Sequence, residues 1–162
     1  MWRLLTLLLL VCQPVLALDI RITPDASSVK VSTQASIAID TSSSWTISQI
    51  EHAQFQSGYK SLNLGHTDAT LWIRLSIQNL LTNPNLIINI NNPSLDKITV
   101  FQKFQGRWKI TELGDLREFH QRLLNLPAFA IPITIPKDTS EQIVLRIQSL
   151  DALSIPITIL SQ

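Results

Sequence analysis

The chain has 162 residues, with 13 Lys and Arg against 12 Asp and Glu, and its one cysteine is Cys12. A net charge this close to zero gives no electrostatic reason to expect nucleic acid or an anionic membrane surface as a partner. The length suits one ordinary domain, and a chain that has lost Cys12 with its N-terminal segment has no disulfides.

The N-terminus has the order of features of a bacterial secretory signal peptide. Arg3 supplies a positive charge, Leu4–Val11 is an apolar run shorter than a membrane span, and Val15–Ala17 offers a cleavage site. A buried core helix is the alternative interpretation. Val11 precedes Cys12 where a lipoprotein signal has a small residue, so lipid anchoring is not expected. We therefore predict a signal peptide over residues 1–17 and one periplasmic domain over residues 18–162.

The apolar residues that follow repeat with a period of two. Leu71–Gln78 alternates without a fault, which predicts a half-buried strand with Ile73 on its core face and Trp72 on the opposite face. Seven other segments show the same alternation: 29–31, 37–39, 86–90, 98–100, 129–135, 143–147 and 155–159. Pro132 and Pro156 cannot donate a ladder hydrogen bond, so their strands are expected at sheet edges or bulges.

The spacing of turns between these segments predicts the fold. Thr46-x-x-Gln49 is a capping-box pattern, which indicates one short helix ending by Gly58. Eight or nine short strands joined by Asn-Pro, Gly-Asp and Pro-Lys-Asp turns indicate an all-β, antiparallel sandwich. That strand number suits a jelly roll, although periodicity does not separate a jelly roll from an immunoglobulin-like topology.

The sequence contains no recognisable catalytic set. His52, His66 and His120 lack metal-ligand spacing, and no nucleophile elbow, phosphate loop or zinc motif occurs. Glu112 and Asp115 are near neighbours, but a carboxylate pair at a turn is common on protein surfaces. We therefore expect a protein that binds rather than catalyses, with no cofactor and no metal, and rank an isolated hydrolase third among the functions considered.

The face opposite Ile73 carries residues that could serve either a ligand site or the structure. Trp72 and Arg74 project from that face, and Arg146 occupies the polar face of its own strand. An aromatic plane beside a guanidinium fork suits a polyhydroxylated or carboxylated small molecule. The structural alternative is that Trp72 packs under a loop and that Arg74 pairs with Asp96 or Asp115.

The order of several short blocks resembles the 7TMR-DISM extracellular domain 2 family. The blocks are Leu62-x-Leu64-Gly65-x-Thr67, Leu71-Trp72-Ile73-Arg74-Leu75, Asn92-Pro93-Ser94-Leu95-Asp96-Lys97-Ile98, Gly106-x-Trp108, Gly114-Asp115, Arg122, and Leu145-Arg146-Ile147-x-Ser149. The order and spacing of the blocks extend the resemblance over roughly residues 37–159. The resemblance implies a carbohydrate-binding-module-like jelly roll that serves as the periplasmic sensory head of a bacterial receptor.

In such receptors membrane helices follow the last strand, and the output module is typically a histidine kinase or a diguanylate cyclase. The chain ends at Gln162 just after its last predicted strand, so we expect either a fragment of a longer receptor or a stand-alone version. The predicted site is Trp72, Arg74 and Arg146, with Arg122 as a further candidate in the long connection after Asp115. The competing hypothesis is a periplasmic protein–protein interaction domain without a small-molecule pocket.

Overall fold

The computed structural model describes residues 19–104, 106–117 and 128–161, with the backbone alone at Phe104. The predicted signal peptide and Arg122 lie outside these residues. The described elements are β1 (Ile20–Ile22), β2 (Ser28–Lys30), β3 (Ser36–Asp40), α1 (Ile47–Ile50), β4 (Asn63–Gly65), β5 (Thr70–Asn79), β6 (Asn85–Ile90), β7 (Lys97–Phe104), β8 (Arg107–Leu113), β9 (Phe129–Thr134), β10 (Thr139–Gln148), β11 (Leu153–Ser154) and β12 (Ile157–Ser161).

Two sheets form the body of the domain. The larger has the order β1-β5-β10-β7-β8, with β3 also paired to β5, and the smaller has the order β2-β12-β6-β9. Strands β4 and β11 form a separate two-stranded piece. One cluster of buried side chains draws on both sheets, so they pack face to face. The predicted all-β sandwich with one short helix is confirmed, while the jelly-roll connectivity stays a prediction.

Alternation along β5 sets which face is buried. Leu71, Ile73, Leu75 and Ile77 are completely buried in the cluster between the sheets, as their period-two spacing predicts. Burying each such side chain stabilises the fold by roughly 1.5–3 kcal/mol. Among the described strands, pairing is antiparallel except for β1, which runs parallel to β5 with Ile20 beside Ile77.

The two prolines expected at edges have different outcomes. Pro132 lies in β9, which is the edge strand of the smaller sheet, as predicted. The prediction for Pro156 was wrong, because its strand, β12, lies between β2 and β6. Pro156 is just before the ladder begins, so β12 loses no donor there, and its carbonyl oxygen accepts from the Asn91 amide at 3.1 Å.

The predicted helix exists but is a single turn. The Gln49 side-chain oxygen accepts from the Thr46 amide at 2.8 Å, which completes the predicted capping box. The helix ends at Ile50 rather than continuing toward Gly58. The chain must become extended early, because Gln56 and Ile37 exchange two backbone hydrogen bonds of 2.7 and 2.8 Å. In the described part of the chain no helix is long and apolar enough to span a bilayer.

Candidate functional site

The outer face of the larger sheet brings three of the predicted site residues together. Trp72 on β5 lies directly opposite Arg146 on β10, and Arg74 is two residues further along β5 on the same face. The row through Trp72 and Arg146 continues to Thr99 on β7 and Glu112 on β8. Predicting that these side chains share a face was therefore correct.

Trp72 is nevertheless a core residue. It is 1% exposed and stacks on Phe101 with ring centroids 5.7 Å apart. Residues 41–56, which we call the cover segment, lie over it. The cluster around it also contains Ala38, Ile50 and Val144, with Trp45, Ile47, Ala53, Phe55 and Trp108 packed at its margin. This is the loop-covered arrangement weighed as the alternative, and it leaves no Trp72 ring face in contact with solvent.

Arg74 fastens the cover segment to the sheet. Its Nη2 donates to the carbonyl oxygen of Ile50 at 2.9 Å, and its guanidinium carbon lies 3.8 Å from the ring centroid of Phe55. A guanidinium this close to a ring face is in cation–π contact. Burial lowers the pKa of Arg74, but an arginine stays protonated at neutral pH. These contacts take the place of the predicted alternative, a pairing of Arg74 with Asp96 or Asp115.

Arg146 contacts the cover segment and is partly exposed to solvent. Its Nη2 donates to the carbonyl oxygen of Ser43 at 3.2 Å, and its guanidinium carbon lies 5.8 Å from the Trp72 ring centroid. The side chain is half-buried. A guanidinium has five N–H donors in a rigid plane, so one bond to Ser43 leaves most of them for other acceptors.

The start of the cover segment is held by polar contacts at Asp40 and Ser43. The Asp40 carboxylate accepts from the Ser42 amide at 3.0 Å, the Ser42 hydroxyl at 2.6 Å and the Trp45 amide at 2.8 Å. Burial opposes ionisation of Asp40, but these hydrogen bonds outweigh it and hold its pKa below the usual value. Ser43 has a positive φ of 53° and donates its hydroxyl to the Asp68 carbonyl oxygen at 3.2 Å.

A cavity of about 350 Å³, which we call the Arg146 cavity, lies beside the cover segment. It is lined by Asp96, Lys97, Ile98, Thr99, Glu112, Leu113, Leu116, Arg117 and Arg146. A second cavity of about 290 Å³, the Leu150 cavity, is lined by Asp68, Ala69, Asp96, Lys97, Leu116, Gln148, Ser149 and Leu150. The two share three residues, and together they reach the size typical of small-molecule sites.

Two backbone contacts shape the wall that the cavities share. The Asp96 carboxylate accepts from the Leu150 amide at 2.7 Å, which ties the end of β10 to the turn before β7. Gly114 has a φ of 141°, and a β-carbon there would lie 2.0 Å from the Asp96 carbonyl oxygen. Only glycine permits this approach, so the Gly-Asp pair noted in the sequence helps to position Asp96.

The comparison with known families bears on the whole of this arrangement. The model of the 7TMR-DISM extracellular 2 family matches residues 32–161, which include β5, β10, the cover segment and both cavities. The chain belongs to the 7TMR-DISM extracellular 2 family. No curated protein matches it significantly. Members of this family are extracellular sensory domains of receptors with seven transmembrane helices.

Membership of the 7TMR-DISM extracellular 2 family identifies a sensory domain, and the structure adds residues that sequence reasoning missed. Lys97, Thr99 and Arg117 line the Arg146 cavity, and Leu116 and Leu150 line its neighbour. Asp96 and Lys97 stand in a block quoted for the family resemblance, which was the available clue. Within the described ranges, no three His, Cys, Asp or Glu side chains group together as a metal site would require.

Proposed function

We propose that this domain is the periplasmic ligand-binding head of a bacterial signalling receptor of the histidine kinase or diguanylate cyclase type. Its ligand is a small carboxylated or sugar-like molecule held in the Arg146 cavity. The observation that carries the proposal is the setting of Arg146. A half-buried guanidinium, held between the Trp72 ring and the Ser43 carbonyl oxygen, lines a cavity of ligand size.

Such a setting favours recognition of an acceptor group because the donor is already oriented. Arg146 pays little further rotamer entropy on binding, and its planar fork matches a carboxylate or a pair of hydroxyl groups. Trp72 and Arg74 serve the site indirectly in this proposal. Trp72 supports the Arg146 guanidinium, and Arg74 holds the cover segment that supplies the Ser43 carbonyl.

The position of the cavities agrees with a sensory role. Gln148, in the wall of the Leu150 cavity, lies at the end of β10, whereas Ser161 at the end of β12 pairs with Leu86. The Leu86 row lies at the other end of the sandwich, where Asn79 donates to the Ile135 carbonyl oxygen at 2.8 Å. Along β5 these two ends are separated by about 25 Å. Membrane helices that follow β12 would leave the cavities facing away from the bilayer.

A protein-docking role is the second candidate, and one observation favours it. Leu116 and Leu150 are 69% and 85% exposed, and both lie at the rim of the Leu150 cavity. Exposed apolar groups rimmed by polar ones occur at interaction sites. The two roles differ in what binds, so a small-molecule screen separates them.

The test is a thermal-shift screen of sugars, sugar acids, carboxylic acids and amino acids on the exported protein. We expect at least one compound to raise the melting temperature in a concentration-dependent way. Arg146→Gln should abolish the shift, while Lys109→Gln, a charge removed from an exposed site outside both cavities, should leave it unchanged. A ligand whose shift survives Arg146→Gln would place the site elsewhere, and no shift with any compound would favour the docking role.

A further inference from the structure

The two adjoining cavities differ in the balance of charged side chains that line them. The Arg146 cavity has three cations against two carboxylates, and its Glu112 is already in an ion pair with Arg117. The Leu150 cavity has the reverse balance, with Asp68 and Asp96 against Lys97 alone. One end of the combined space therefore attracts a negative group and the other a positive group.

The Leu150 cavity also has the most exposed large apolar side chain of the described residues, that of Leu150. Ala69 lines this cavity as well, and Leu116, which lines both cavities, is the next most exposed large apolar side chain of the described residues. Exposed leucines at a cavity mouth gain hydrophobic contact only when something apolar settles between them. The Leu150 cavity thus combines carboxylates with an apolar rim.

From this arrangement we infer that the ligand is an α-amino acid with an apolar side chain. The inference rests on the proposed function and names its substrate class. The α-carboxylate binds the Arg146 guanidinium and Lys97, the ammonium group binds Asp68 and Asp96, and the side chain contacts Leu150. No bond is made or broken in this recognition, and only charges and apolar area are matched.

The alternatives proposed above match less of the lining. A neutral sugar leaves the separated charges of the two cavities without partners. A simple monocarboxylate satisfies Arg146 but places no positive group near Asp68 and Asp96. A zwitterion places a charge of the matching sign at each end. The combined lining has equal numbers of cations and carboxylates, and a zwitterion leaves that charge balance unchanged.

The test uses isothermal titration calorimetry on the exported protein with L-leucine, L-methionine and L-phenylalanine. For whichever binds best, two matched analogues are compared: the amide, which lacks the carboxylate, and the deaminated acid, which lacks the ammonium group. We expect each analogue to bind weaker by roughly tenfold or more, the effect of losing one charge-assisted hydrogen bond. Glycine, which lacks the apolar group, should bind more weakly as well.

Two variants assign the ends of the ligand. Asp68 is exposed, and its backbone carbonyl oxygen accepts the Ser43 hydroxyl, so Asp68→Asn keeps that contact and the fold. It should weaken binding of the amino acid while leaving the deaminated acid unaffected. Arg146→Gln should weaken the binding of the amino acid and of the deaminated acid, but not the binding of the amide.

The outcomes separate this inference from the proposed function. A sugar or a carboxylic acid that binds in an Arg146-dependent way, with the three amino acids inactive, would overturn the amino-acid inference and leave the proposed function standing. Equal binding of leucine and its deaminated acid would also overturn the inference. Failure of all these compounds to bind would count against both.

Discussion

Arg146 and Trp72 face each other across β10 and β5, with the guanidinium carbon 5.8 Å from the indole ring centroid. The indole is buried, whereas the arginine is half-buried and reaches the Arg146 cavity. The pair therefore joins the small apolar cluster beneath the cover segment to the proposed ligand site. We therefore expect changes in packing under the cover segment to affect binding in the cavity through this contact.

Truncation of Trp72 should destabilise the fold much more than truncation of Trp108. Trp72 is fully buried between Phe101 and the cover segment, so Trp72→Ala should cost about 3–5 kcal/mol. Trp108 is half-buried at the margin of the same cluster and should cost clearly less. Urea unfolding of the two variants measures the difference. Equal losses would show that the cover segment does not bury Trp72.

The contact of Arg74 with Phe55 should appear as a coupling energy in a double-mutant cycle. The guanidinium carbon is 3.8 Å from the ring centroid, so the expected coupling is about 0.5–2 kcal/mol. Arg74→Met keeps the apolar stem and serves with Phe55→Leu as the partner change. A control cycle of Arg74→Met with Ile110→Ala, an exposed residue on β8, should show additivity. Additive effects for Arg74 and Phe55 would contradict the fastening role.

Gly114 and Gly58 offer a comparison between steric conflict and backbone strain alone. Both have positive φ, but a β-carbon at Gly114 would lie 2.0 Å from the Asp96 carbonyl oxygen, whereas a β-carbon at Gly58 would point into open space. Gly58→Ala should cost about 1 kcal/mol from conformation alone.

Gly114→Ala should cost several times as much, because backbone atoms must move apart at the shared wall of the cavities. The substitution should also weaken the binding of any ligand that contacts Asp96. Melting temperatures and ligand-induced shifts of both variants supply the measurement. Comparable melting temperatures would mean that the turn at Gly114 relaxes without strain.

The sequence predicted the faces of β5 correctly because alternation is a local property. Ile73 points into the core and Trp72 out of it, as period two requires. Nothing local reveals what lies on the polar face, however. The carbonyl of Ile50 that receives Arg74 is 24 residues away along the chain, and the approach depends on the path of the cover segment. We therefore expected Trp72 in a ligand site, whereas in the structure the cover segment buries it.

The cavities depended on strand order, which alternation does not encode. Arg146 meets Trp72 and Thr99 only because β10 lies between β5 and β7. Strands β1, β4 and β11 have two or three residues each, and none was predicted. The family resemblance carried Asp96 and Lys97 as part of a block, but gave them no place in a site.

Stability should fall in acid partly because of Asp40, and Asp40→Asn should reduce that fall. Hydrogen bonds from Ser42 and Trp45 hold the pKa of the folded-state carboxyl below its usual value, against the opposing effect of burial. In the unfolded chain an aspartate has a pKa of about 3.9, so between the two values the unfolded state binds more protons and stability rises with pH. The contribution of Asp40 is thus complete above about pH 5 and is lost as pH falls through its folded pKa.

Asparagine cannot ionise, and it retains only one oxygen to accept the bonds at the start of the cover segment. Asp40→Asn should therefore be less stable than the wild type at neutral pH, and the gap between them should narrow as the pH falls below about 4. The pKa of Glu51 is also lowered, first by its hydrogen bond with Lys103, so the variant keeps that part of the acid sensitivity. Urea midpoints measured from pH 7 down to about pH 3 give the comparison. A gap that stays constant across this range would show that the Asp40 carboxylate does not stabilise the cover segment through its charge.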